Sequence, residues 1–205
     1  MQLIGYLESP FVRRVAVSAQ FLGQPYELSE ISIVREYDRF RELNPLVKAP
    51  TLICDDGQCL VDSSLIIDYL ESKSGQSQLM PSDEARFVRA LNVIGTAMVV
   101  NEKTVQLIYE LKHRPEGAHY QPWVDRVSQQ LVEATRLLQE AYAGCDSWLF
   151  GDAISQADIT SAIAWYFCQL HYPDVVNADD HPDLVALSAR AEALPEFKAC
   201  PVTVV

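Results

Sequence analysis

Apolar positions recur with two different periods along this chain, and the change from one to the other falls near residue 80. Residues 2–7 alternate loosely and end at Glu8-Ser9-Pro10. That predicts a short strand feeding a helix, with Ser9 as N-cap and Pro10 in the first helical position. Val12, Val15, Ala16, Ala19 and Leu22 then recur at helical spacing, and Gly23 fits the helix stop. Residues 26–31 read as a second strand, so the strand–helix–strand unit implies parallel pairing through a right-handed crossover. The charges in 33–43 predict an exposed, irregular helix that ends before Asn44-Pro45. Two apolar runs, 51–54 and 59–61, flank Asp55-Asp56-Gly57-Gln58 and read as a β-hairpin with Gly57 at the φ > 0 position. Pro50 opens the first run; with no N–H to give a ladder, it suits a strand start or a turn, where a cis bond is possible. Leu65, Ile66, Tyr69 and Leu70 follow Asp62-Ser63 at helical spacing, giving a helix over about 63–73 stopped by Gly75.

Beyond a polar linker at 77–82, everything reads as helix. Residues 83–113 are periodic through Phe87, Leu91, Ile94, Met98, Val105 and Ile108, with a bend expected near Gly95. Residues 120–142 carry a stripe of Trp123, Val127, Leu131, Ala134, Leu138 and Ala141, ended by Gly144. Ser155 followed three residues later by Asp158 resembles a capping box, with Ile154 and Ile159 as its hydrophobic staple. A last helix over 182–194 precedes Pro195-Glu196-Phe197. The expected organisation is an α/β N-terminal domain over 1–76 (βαβαββα), the linker, and an all-α C-terminal domain over 83–205.

Charge narrows the choice of partner. The 205 residues carry a formal net charge of −12, which argues against nucleic acid or an anionic membrane. No uncharged apolar run reaches the ~20 residues needed to cross a bilayer, and residues 1–4 lack the basic region of a signal peptide. Five cysteines without a CxxC pair read as small hydrophobes in a reducing compartment, so a cytoplasmic location is expected. The four histidines lie scattered with no HxxxH or carboxylate pairing, and no metal is expected.

Residues 44–64 hold the most distinctive local chemistry. A proline opens a hairpin, and the hairpin leads into Asp62-Ser63 at a helix start, where free N–H groups suit an anion. This run resembles the thioredoxin-like half of the glutathione transferases. The resemblance implies a cis bond at Ala49-Pro50, backbone contact there with the cysteinyl part of glutathione, and a grip by Asp62-Ser63 on its γ-glutamyl end. It also assigns Lys48 to the glycyl carboxylate, against a plain solvated charge. Ala49 stands where the family more often has Val, and Asp62 where it has Glu or Gln. The stretch Ser9-Pro10-Phe11-Val12-Arg13-Arg14-Val15 resembles the signature of the serine-type members, bacterial-like and of tau/theta character, in which the serine hydroxyl donates to the glutathione sulfur. Cysteine at position 9 would mark the thiol-transfer classes. Tyr6 competes for the donor role, since tyrosine-type members place a phenol in the first strand.

These chemistries fit together. A free cysteine thiol has a pKa of ~8.5, so a useful site must favour the thiolate, and a hydroxyl at a helix N-terminus does so. The implied function is a homodimeric glutathione transferase that uses glutathione as co-substrate and conjugates it to a hydrophobic electrophile between the domains. Phe11, Met98, Asn101 and Tyr109 are candidates to line that second site, against core roles. A glutathione-dependent isomerase or peroxidase is the alternative within the enzyme class; the zeta-type isomerases carry a Ser-Ser/Cys motif from which Ser9-Pro10-Phe11 departs. A non-enzymatic binding or regulatory protein on the same fold is the alternative outside it. The sixth-helix box of Ser155 and Asp158 is assigned to folding.

Overall fold

The computed structural model of the chain describes residues 1–75, 79–115 and 117–203. The expected boundary at 76 and the first linker residues fall on Gln76, Ser77 and Gln78, which lie outside the described residues. Two compact units form: Met1–Leu79 together with Ala193–Val205, and Met80–Glu192.

In the first unit β1 (Gln2–Ile4), α1 (Pro10–Phe21), β2 (Glu27–Ser29), α2 (Tyr37–Leu43), β3 (Thr51–Ile53), β4 (Cys59–Val61) and α3 (Ser63–Ser74) follow in the expected order. The sheet order is β2-β1-β3-β4, with β1 parallel to β2 and the other two pairs antiparallel. Each strand of the βαβ unit is shorter than its apolar run. β1 stops where Gly5 takes φ +134°, a conformation that side chains rarely adopt. Successive residues of a strand face opposite ways. Ile4 and Ile53 join Ile31 and Phe40 on the α2 side, and Leu3, equally buried, faces the other side. There α1 packs on β1 and against α3. A short helix α8 (Pro195–Lys198) returns to this unit and packs on α1, where Phe197 meets Phe21 edge-on at 6.4 Å.

The second unit consists of α4 (Glu84–Lys112), α5 (Gln121–Tyr142), α6 (Gln156–His171) and α7 (Pro182–Glu192). α6 is its centre: every residue from Gln156 to Trp165 is buried, as expected for a helix surrounded on all sides. Its start is fixed by Asp158, fully buried, whose carboxylate accepts from the Ser155 amide (2.8 Å), the Ser155 hydroxyl (2.6 Å) and the Leu149 amide (2.9 Å).

Two stripes differ from their readings. On α4 the buried positions are Ala90, Val93, Ala97, Val100, Asn101, Thr104, Leu107 and Glu110, while Phe87, Val88, Leu91 and Val99 are exposed. Both faces of this helix carry apolar residues, and the small side chains Ala90 and Ala97 belong to the face that packs. Large side chains mark hydrophobicity; small ones mark where neighbouring helices come close. On α5 the stripe holds at Val127, Leu131, Ala134 and Leu138, but Trp123 near its start is exposed.

Candidate functional site

The register of the sheet brings the singled-out residues to one end. Ile4, the last residue of β1, pairs with Thr51, the first of β3, and Thr51 pairs with Val61, the last of β4. Neighbouring strands lie ~4.8 Å apart, so these three positions span only about 10 Å. Ser9 follows the first of them, Ala49-Pro50 precedes the second, and Asp62-Ser63 follows the third.

Gly5 lets these segments approach. A Cβ at this position would lie 2.7 Å from Val12 Cγ2 and 3.2 Å from Ala49 Cβ, so any larger residue would push α1 away from the Ala49-Pro50 segment. The Ala49–Pro50 bond is cis, Ala49 is half-buried and Pro50 buried. Asn44, itself buried, holds the loop before it. Its side-chain amide donates to Thr51 Oγ1 (2.8 Å), its carbonyl oxygen accepts from the Leu46 amide (3.0 Å), and Thr51 Oγ1 donates to the Lys48 carbonyl (2.6 Å). Lys48 itself is exposed.

Ser9 occupies the N-cap position of α1 with extended backbone (φ −65°, ψ 121°), and its hydroxyl makes no capping hydrogen bond. Its backbone is fully engaged: the amide donates to Tyr6 O (3.0 Å) and the carbonyl accepts from Arg13 N (2.9 Å). A half-buried hydroxyl is thus held at a helix N-terminus without being spent on the helix. Tyr6 lies beyond the end of β1, in the turn, with the Arg35 guanidinium 5.8 Å from its ring centroid.

Across the sheet end, Asp62 caps α3 by accepting from Ser64 N at 2.8 Å. It does so at φ +72°, ψ 124°, and Val47 on the other side of the hairpin sits at φ +46°. Both are non-glycine residues in sparsely populated backbone regions, a kind of strain that concentrates at functional sites. Ser63 is buried, and its hydroxyl accepts from Arg14 Nη1 at 3.0 Å. Burial pushes the Arg14 guanidinium down to about 10, although Asp62 and Asp68 favour its charge.

Arg14 and Asn44 were not marked by sequence as site residues. The only signals available were two adjacent arginines in a mainly apolar helix and an Asn-Pro pair, in which the Asn side chain favours a local turn. Of the residues considered for a second site, Asn101 is fully buried in the second unit with neither side-chain atom hydrogen-bonded among the described residues, while Phe11 and Met98 are half-buried and Tyr109 exposed. Among the described residues no group of three or more His, Cys, Asp or Glu could hold a metal ion, and no helix is long and apolar enough to cross a membrane.

Known proteins are similar to this chain in sequence and fold. Residues 3–78 match the family model described as glutathione S-transferase, N-terminal domain. The chain is similar to a maleylacetoacetate isomerase from Pseudomonas aeruginosa, 28% identical over 97% of this chain and 94% of the relative. It resembles a Methylobacterium radiotolerans glutathione S-transferase solved with glutathione sulfonate, with a TM-score of 0.90 and 25% identity over 100% of this chain and 96% of the other. A glutathione transferase family member from Pseudomonas fluorescens with bound glutathione matches at a TM-score of 0.86, with 29% identity over 99% of each chain. The first unit, with the helices that follow it, accordingly has the thioredoxin-like plus all-helical fold of those proteins.

Proposed function

We infer that this chain is a member of the glutathione S-transferase family, and from that premise we propose that it binds glutathione in the first unit, stabilises its thiolate through Ser9, and transfers the sulfur to a hydrophobic electrophile. The single observation that carries the reading is the Ser9 hydroxyl, held at the start of α1 and not used to cap it. A hydroxyl donor and the positive end of a helix both favour an anionic sulfur over a neutral one. Ser9 Oγ donates its hydrogen to the sulfur, and the thiol proton leaves to solvent. The sulfur then forms a bond to the electrophilic carbon, and the leaving group departs with its electron pair.

The remaining assignments follow the same segments. Ala49 offers backbone groups beside Pro50 to the cysteinyl part, Lys48 meets the glycyl carboxylate, Ser63 takes the γ-glutamyl carboxylate and Asp62 its ammonium. The exposed Phe87, Val88 and Leu91 on α4 leave apolar surface that a second copy of the chain would cover, in line with a homodimer.

Calorimetric titration with glutathione, followed by a screen of electrophiles against wild type and Ser9→Ala, tests the reading. Binding at sub-millimolar concentration with conjugation lost in Ser9→Ala is expected; absence of binding at millimolar glutathione would leave a binding module on the same fold. A second reading is glutathione-dependent cis–trans isomerisation, favoured by the full-length similarity to a maleylacetoacetate isomerase. Turnover of maleylacetoacetate without conjugation of any electrophile in the screen would select it.

A further inference from the structure

Arg14 has no part in the chemistry just described, yet it is almost completely enclosed, with 1% of its surface exposed. Enclosing a cation is costly and calls for a compensating use. Nη1 donates to two hydroxyls in the first turn of α3, Ser63 Oγ and Ser64 Oγ, both at 3.0 Å, while Nε has no hydrogen-bond partner among the described residues. A guanidinium can only donate. Each serine oxygen therefore accepts from behind, and each hydroxyl hydrogen is left to point away from Arg14. Two oriented donors now lie at the start of a 12-residue helix, whose dipole and free N–H groups have the same sign preference. One residue earlier, the exposed Asp62 carboxylate accepts from the Ser64 amide and keeps capacity for a cation.

We propose that Arg14 is a positioning residue that turns the Ser63 and Ser64 hydroxyls outward as donors to the α-carboxylate that the glutathione reading already puts at the start of α3. This rests on the glutathione reading and deepens it by naming the residue on which that contact depends. The same residue supplies local positive charge in a chain of net charge −12, where an anionic head would otherwise be repelled.

The test uses two ligands, glutathione and the analogue in which 4-aminobutyrate replaces the γ-glutamyl residue, so that only the α-carboxylate is missing. Calorimetry on the wild type should favour glutathione by on the order of tenfold or more, the size of a charge-assisted hydrogen bond. Arg14→Met should erase that preference while leaving affinity for the analogue unchanged. Equal losses for both ligands would make Arg14 merely structural and overturn the proposal. Should Arg14→Met fail to fold, the slowly exchanging guanidinium N–H signals of Arg14 in isotope-labelled wild type decide the matter. Glutathione should shift them and the analogue should not; a shift with both or with neither overturns the proposal. Failure of wild type to bind glutathione at all would overturn the parent reading instead, and the wild-type titration separates the two failures.

Discussion

Ser9 shows how a residue can hold a capping position without acting as a cap. Its backbone closes the turn with Tyr6 and opens α1 through Arg13, so removing the hydroxyl leaves the helix start intact. Ser9→Ala is therefore expected to keep its melting temperature and its glutathione affinity while losing conjugation rate. One unit of thiol pKa corresponds to about tenfold in thiolate, so the loss should be about tenfold or more near pH 6.5 and should shrink as pH rises. A pH–rate profile of the two proteins checks this; parallel profiles would remove Ser9 from the chemistry. The local geometry at Ser9, Pro50, Asp62 and Ser63 was readable in the sequence because caps and turns depend on neighbours a few residues away. Arg14 was not. Its partner Ser63 lies 49 positions further on, and only the packing of α1 against α3 makes the pair.

At the scale of elements, the caps and turns followed local chemistry and the helix faces did not. The Ser155–Asp158 pairing is present as read, but its carboxylate also takes the Leu149 amide and is fully buried, so more depends on it than an exposed cap. Asp158→Ala would strand buried donors, and a stability loss of about 2–4 kcal/mol is expected from denaturant unfolding. The β3–β4 hairpin gives a prediction in pH. Asp55 in its turn is held down to about 2 by the α-amino group of Met1 (2.7 Å) and by Lys73 (2.9 Å). A carboxyl whose folded value lies below its unfolded one stabilises above the unfolded value, here 3.8, and loses that contribution as pH falls through about 2. The difference in melting temperature between wild type and Asp55→Asn should therefore be constant from neutral pH down to about 4 and close towards pH 2. A difference that persists unchanged at pH 2 would mean that the pairing does not stabilise the fold. The α4 stripe went unread for a reason of the same scale. Choosing Phe87 and Leu91 over Ala90 and Ala97 follows hydrophobicity, whereas helix packing follows the room that small side chains leave.

For the whole molecule, the order of strands and helices was legible because each boundary carries Gly, Pro or a capping residue, and the sheet order β2-β1-β3-β4 gathers the three motifs at one end. Global charge opposes the proposed ligand, and the local arrangement has to overcome it over a screening length of roughly 8–10 Å. The central claim is that the chain binds glutathione and lowers the proton affinity of its sulfur through the hydroxyl at the start of α1. The most direct measurement is a pH titration of the thiolate's ultraviolet absorbance for glutathione bound to wild type and to Ser9→Ala. The account predicts a bound thiol titrating at least about one unit below the free value of ~8.5, with most of that displacement gone in Ser9→Ala. A bound thiol that titrates where the free one does, or an equal displacement in both proteins, would contradict it.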